Sequence, residues 1–435
     1  MGYYPYDSRN PLYRSQFGAV AANTPLRLRL LLSNEARVSS AFLHICRDGE
    51  QPFDVKMEPA DALDEYRFYE CEVTFGEGLY WYSFFYDSDY GRMFVTKGAH
   101  SLGIVSPDGE CWQQTVYERD YATPDGIKGG IIYQIFPDRF CCSGKAKSGV
   151  PADRFIQNDW SAQPAFRQDG SPCSLGNDYY GGDLAGIESK LPYLKSLGVS
   201  CIYLNPIFEA HSNHRYNTAD YMKIDPSLGN EHDLESLCRA ANRYGMTVML
   251  DGVFSHTGDD SVYFNKYGRY ESQGAAQSWD SPYIDWYSFQ EWPNRYSSWW
   301  GVPTLPETNE NNASFSSFIT GDDGVISYWM DRGVKGWRLD VADELPDEFI
   351  DKIRAVVKKK DREAFLLGEV WEDATNKISY GVRRRFLRGR QLDSVMNYPL
   401  ADAIIEFVKG GNARDLVDLV LTNAKTIRRR HLPAL

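Results

Sequence analysis

Three short segments place carboxylates where chemistry at a carbon centre would use them. Asp251 and His256 lie in Asp-Gly-Val-Phe-Ser-His at 251–256. Arg338, Asp340, Asp343 and Glu344 lie in Gly-Trp-Arg-Leu-Asp-Val-Ala-Asp-Glu at 336–344, and Glu369 and Trp371 in Gly-Glu-Val-Trp at 368–371. Each follows an apolar run that reads as a buried strand, at 247–250, 334–339 and 364–367. In an α/β barrel, a carboxylate at the C-terminal end of a strand points into the active-site mouth. Asp340 and Glu369 therefore read as a catalytic pair, one kept ionised and the other carrying a proton. Arg338, two residues before Asp340 and so on the same face of its strand, supplies the positive charge that favours an ionised Asp340. Glu369 needs a raised pKa to donate a proton near neutrality. A metal hydrolase built on Asp251 and His256 is disfavoured, because no second His or carboxylate cluster has ligand spacing.

These residues require a particular scaffold. From Gly129 the sequence alternates strand, loop and helix, which predicts a parallel sheet with right-handed crossovers. Ile131–Phe136 is the first strand and 199–204 the second, after a helix that starts at Asp183 and closes on Gly198. A helix over 231–244 precedes the third strand at 246–250. The fourth is 334–339, the fifth 364–367 and the sixth 394–398, and a helix from Ala401 to about Val420 ends the pattern. The fold class is thus α/β, a TIM (β/α)8-type barrel with about six of eight strands present. A polar, aromatic-rich stretch at 257–321 reads as an insertion after strand three, long enough to be functional. Residues 1–120 differ: Leu26-Arg-Leu-Arg-Leu alternates with period two, and β-rich runs follow at 66–75 and 78–86, which predicts an N-terminal β-sandwich. Residues 121–256 and 322–422 then carry the barrel, and 423–435 is an atypical basic tail.

The three segments, together with Tyr133-Gln-Ile-Phe-Pro-Asp-Arg-Phe and Gly181-Gly-Asp-Leu-Ala-Gly-Ile, resemble the α-amylase superfamily of retaining glycoside hydrolases. Ser298-Trp-Trp-Gly-Val-Pro-Thr-Leu-Pro-Glu-Thr-Asn-Glu resembles its neopullulanase-like and amylopullulanase-like branches. The resemblance implies cleavage of α-1,4, and in some members α-1,6, links in maltodextrins, cyclodextrins or pullulan. It implies Asp340 as nucleophile and Glu369 as acid/base. His256 would hydrogen-bond the sugar at the cleavage site, Asp251 would brace its strand end, and His214 and Tyr216 would embrace the same sugar. Trp371 would stack toward the leaving group. Glu344 and Asp343 read either as tuning hydrolysis against transfer or as a solvated helix start. Trp299 and Trp300 read equally as glucan platforms or as anchors of the insertion. The family's fourth segment, which carries a third carboxylate, is not met before Leu435, so a truncated and inactive fragment is one expectation. A 4-α-glucanotransferase and a non-catalytic glucan-binding protein are the alternatives.

Composition narrows the partners. A formal charge of −13 argues against nucleic acid, whose binding rests on a basic surface, and suits a neutral α-glucan. No apolar run of about 18 residues suggests a membrane span, and no secretory signal opens the sequence. Eight scattered cysteines without metal spacing read as free thiols in a reducing compartment, so the expected location is cytoplasmic. Related enzymes often dimerise through the N-terminal domain, which makes a homodimer an expectation. No cofactor is required. Calcium, bound by relatives in the loop after strand one, is not supported here, since Cys141-Cys-Ser-Gly-Lys-Ala-Lys-Ser-Gly offers few oxygen ligands.

Overall fold

The computed structural model describes residues 3–167 and 171–426. In the N-terminal region the alternation at 26–30 holds in part. Leu26, Leu28 and Leu30 are buried and Arg27 is exposed, but Arg29 is buried too, paired with Asp61 at 2.6 Å and Glu70 at 3.1 Å. The strand Leu26–Ser33 pairs antiparallel with Tyr66–Val73. Nine strands form one continuous sheet. Its strand Phe53–Leu63 pairs with Val38–Arg47 through its first half and with Tyr66–Val73 through its second. The register slips between Pro59 and Ala62, where proline has no N–H to give the ladder. Leu28, Leu30, Leu43, Ile45, Phe84 and Trp112 from the two halves share one core. The sandwich is thus one sheet folded over on itself.

The six expected barrel strands are present in a single parallel sheet, in chain order: β1 (Ile131–Ile135), β2 (Val199–Leu204), β3 (Thr247–Gly252), β4 (Gly336–Leu339), β5 (Phe365–Gly368) and β6 (Ser394–Val395). Successive side chains alternate between its faces. Ile202, Leu204, Val248, Leu250, Trp337, Leu339 and Leu366 join the core beneath the helices. Cys201, Tyr203, Met249, Phe365 and Leu367 form a separate cluster on the concave side. The same parity carries Asp251, Arg338, Asp340 and Glu369 to the concave side. β1 and β6 are the sheet's two edges, and Ile132, Leu367, Met396 and Tyr398 line an apolar opening of 220 Å³ between them.

Several helices depart from their expected limits. The helix predicted from Asp183 to Gly198 is two, α1 (Leu184–Ser189) and α2 (Leu191–Ser196). Pro192 removes an N–H and crowds the Glu188 carbonyl, so the ladder breaks at Lys190. α3 (Glu231–Arg243) starts at a capping box between Asn230 and Asp233. α4 (Ala313–Thr320) lies inside the expected insertion but stacks Phe315 on Phe349 of α6 (Asp347–Lys360), after α5 (Val325–Asp331). The sixth strand ends at Val395, because Asn397 caps a new helix by accepting from the Leu400 N–H at 3.2 Å. The single helix predicted over 401–420 is two, α7 (Tyr398–Val408) and α8 (Ala413–Thr426). Gly410, at φ +101°, and Gly411 separate them. Residues 423–426 of the expected tail belong to α8, and 427–435 lie outside the described residues. Among the described residues no helix is long and apolar enough to cross a membrane.

Trp337 is fully buried between the sheet and its helices, with Phe254 at 5.9 Å and Phe208 at 6.4 Å. Trp337→Ala is expected to cost about 3–5 kcal/mol in urea unfolding. A loss within experimental error would show that this convex core does not hold the sheet.

Candidate active site

Register brings the charged residues together. Asp251 on β3 is the direct partner of Arg338 on β4, and Leu339 is that of Gly368 on β5. The Arg338 guanidinium donates from Nη1 to Asp251 Oδ1 at 2.6 Å and to Asp340 Oδ1 at 2.7 Å, while Nη2 lies 2.7 Å from Glu369 Oε2. One buried cation therefore meets three buried carboxylates from three strand ends. Asp251 also accepts from Tyr203 Oη at 2.6 Å and Tyr216 Oη at 3.1 Å. Glu369 accepts from the Val341 N–H at 2.9 Å, and from Trp371 Nε1 and Tyr398 Oη, each at 3.1 Å.

Three carboxylates on one guanidinium carry an excess of two negative charges, so the cluster retains a proton more readily than isolated acids do. Burial, with Asp251 and Glu369 alongside, pushes Asp340 up to about 8 against the pull of Arg338. Burial raises Asp251 too, despite Arg338 and the two tyrosines. Burial also acts on Glu369, but Arg338 and the three hydrogen bonds outweigh it and hold this carboxyl below its ordinary value.

Aromatic and imidazole groups surround the cluster. The Tyr216 N–H donates to His214 Nδ1 at 3.1 Å, and the two rings stack at 6.0 Å. His256 has both nitrogens engaged, Nε2 with the Tyr216 carbonyl and Nδ1 with Ser255 Oγ, each at 3.0 Å. A sugar hydroxyl reaches His256 only by displacing one of these. Burial lowers both imidazoles to about 4, so both are neutral near pH 7. On the other side, Trp371 and Trp300 lie 6.0 Å apart, and Trp300 Nε1 donates to Glu344 at 2.6 Å. Glu344 sits on the 3-10 turn Ala342–Glu344, three residues before α6 begins, and is no solvated helix start. Asp343 pairs with Lys377 at 3.4 Å and holds the loop after β5.

Residues 134–435 match the α-amylase catalytic domain family. The chain belongs to the α-amylase family. It is 35% identical over 458 aligned residues to an amylopullulanase of Thermoanaerobacterium saccharolyticum, an alignment covering 94% of this chain and 34% of that protein. It is 37% identical over 294 residues to a cyclomaltodextrinase of Geobacillus thermopakistaniensis, covering 66% of this chain and 44% of that one. The chain thus spans about a third of the first relative and under half of the second. Among solved structures it resembles the type III pullulan hydrolase from Thermococcus kodakarensis, with TM-score 0.61, 26% identity, and coverage of 99% of this chain and 71% of that one.

In this α-amylase family chain, the sequence reading missed Tyr203, Tyr398 and Val341. Tyr203 sat unremarked in an apolar strand, although a tyrosine on a concave face needs a partner for its hydroxyl. Val341, at φ +37°, is a β-branched residue in the left-handed region. That strained geometry turns its N–H onto Glu369, and residue type gave no signal of it. The calcium question turns on Asp183, whose carboxylate caps α1 through the Gly186 N–H at 2.6 Å and accepts from Ser143 Oγ at 2.7 Å. Lys147 Nζ lies 3.0 Å from it and donates to the Gly181 carbonyl at 3.0 Å. An ammonium already bridges the oxygens that a hard cation would need, so the residues present do not fit calcium.

The Asp340 shift has a definite sign. The unfolded chain loses this proton near 3.8, whereas the fold keeps it to about 8. The stabilisation is full below pH 3.8 and is lost as pH rises toward 8, by up to about 1.4 kcal/mol per pH unit. Asp340→Asn removes this dependence. The melting-temperature difference, variant minus wild type, is expected to grow from pH 5 to pH 8; a difference independent of pH contradicts the shift.

Proposed function

We propose that this site is that of a retaining α-glucan hydrolase, with Asp340 as nucleophile and Glu369 as acid/base. The observation that carries the reading is that Asp340 and Glu369 hang on the two terminal nitrogens of one guanidinium. This sets them side by side, as suits the spacing of about 5–5.5 Å in retaining enzymes better than the wider gap that admits a water in inverting ones. Asp340 attacks the anomeric carbon while Glu369 gives its proton to the departing oxygen. Water then attacks that carbon, Glu369 takes the water's proton, and Asp340 departs as carboxylate.

In the resting cluster burial favours a proton on Asp340, whereas Arg338 and three hydrogen bonds favour an ionised Glu369. Cleavage needs the reverse, so one proton must pass within the cluster to Glu369 when a saccharide displaces its hydrogen-bond donors. Arg338 contacts every carboxylate involved and stays charged, so it stabilises whichever of them is ionised before and after the exchange. Asp251 braces Arg338, Tyr203 and Tyr216. His214 and Tyr216 form the wall for the sugar undergoing cleavage, and Trp371 forms that for the leaving part.

The names of the relatives support starch-derived maltodextrins, cyclodextrins and pullulan as substrates, whose bonds are α-1,4 and α-1,6. A purely binding protein would have no use for three buried carboxylates, whose desolvation is costly. The free thiols of all eight cysteines support a reducing compartment, and we place the protein in the cytoplasm.

Reducing-sugar release from maltohexaose is the direct test. Glu369→Gln is expected to lower the rate by about 10²–10⁴-fold, the usual worth of a general acid, and the first product should retain the α-configuration by NMR. Release of the β-anomer, or full activity of the variant, overturns the assignment.

A further inference from the structure

The loop that leaves β5 after Glu369 carries a short hairpin, Ile378–Ser379 paired with Val382–Arg383. Tyr380, beside Gly381 at its tip, has φ +51° and is 76% exposed. Trp300, from the insertion, shows the same two features, φ +50° and 68% exposure. Left-handed backbone is unfavourable for a residue with a Cβ, and neither ring is buried in a core that would offset it. Strain of this kind gathers at binding and catalytic sites. Both rings converge on Glu344: Trp300 Nε1 donates to it, and the Tyr380 hydroxyl faces the same carboxylate. With Trp371 they wall a cleft of 290 Å³ that Glu369 also lines.

The hairpin is held from outside the barrel. Arg383 donates from Nε and Nη2 to the two oxygens of Asp48, at 2.9 and 3.1 Å, and Asp48 also accepts from Trp81 Nε1 at 2.8 Å. Asp48 follows the strand Val38–Arg47 of the N-terminal sheet. The other leg of the loop meets Gln113, a buried residue of the same sheet. Its amide donates to Thr375 Oγ1 at 3.0 Å and accepts from Asn376 Nδ2 at 2.8 Å. Both legs are therefore tied to one sheet by side chains of fixed geometry, and Tyr380 projects from the span between them.

We propose that the N-terminal sheet, through Asp48 and Gln113, holds Tyr380 over the leaving-group side of the cleft, where its ring stacks on a glucose unit of the substrate. Tyr380 is then a specificity-determining residue that favours a saccharide over water in that part of the cleft. Asp48 is a positioning residue that acts through it. A pyranose ring presents a C–H face to an aromatic surface and hydroxyls at its rim, which the Glu344 carboxylate is placed to receive. The inference rests on the glucan reading of the site.

The test is calorimetric titration of the 435-residue chain with maltohexaose, in a Glu369→Gln background that stops turnover. Tyr380→Ala is expected to weaken binding about tenfold and Tyr380→Phe by no more than about twofold, since stacking, not the hydroxyl, carries the contact. Asp48→Asn is expected to weaken it about threefold, and to have no further effect when Tyr380 is Ala, as a residue acting through another must. Arg383→Lys cuts the same clamp from the loop side and serves if Asp48→Asn lowers the melting temperature. Unchanged binding by Tyr380→Ala overturns this inference alone. Equal losses for Asp48→Asn with and without Tyr380 overturn the positioning role. An absence of glucan binding in the parent protein overturns the glucan reading itself, and this inference with it.

Discussion

The site depends on a single guanidinium. Arg338 is buried, and so are the three carboxylates it meets at 2.6–2.7 Å. Taking such charges out of water is expensive unless each is paired and hydrogen-bonded. Here every carboxylate finds the same cation, and Asp251 and Glu369 find further donors. The pairing requires strands β3, β4 and β5 to be adjacent, parallel and in the observed register, because a slip of one residue would turn every one of these side chains to the helix-covered face. The chemistry of the cluster and the order of the sheet are one constraint.

Left-handed backbone outside glycine occurs at several turns of the chain, such as Asn23, Arg37 and His100, and again beside this cluster. Val341, Trp300 and Tyr380 all take left-handed backbone, and each lies at or beside a group that touches the cleft. Gly368, just before Glu369, leaves the space that the tip of the Leu392 side chain fills, since a Cβ there would meet it at 2.3 Å. Away from the site the helices begin and end where capping and proline chemistry direct, as at Asn230, Pro192 and Gly410.

Much of this was legible in the sequence. Apolar runs alternating with helical stretches marked the six strands, and carboxylates at their ends marked Asp340 and Glu369, because burial and strand parity leave little choice of direction. Legibility failed where contact depends on curvature or on distant chain. Tyr398 reaches Glu369 only because the sheet curls and α7 starts where a strand was expected. Lys147 bridges Asp183 and Gly181 across more than thirty residues, and Asp48 finds Arg383 across 335. No local pattern announces such pairs. The break between α7 and α8 was visible as Gly410-Gly411, but helical periodicity on both sides concealed it.

The claim at the centre is that Asp340 forms a bond to the anomeric carbon. It is tested most directly by mass spectrometry of the protein after brief exposure to a fluorinated glucosyl fluoride, a substrate whose second step is slow. One added sugar mass on the peptide containing Asp340, absent from Asp340→Asn, is the expected result. The same mass on another carboxylate, or an adduct that survives in Asp340→Asn, would contradict the assignment.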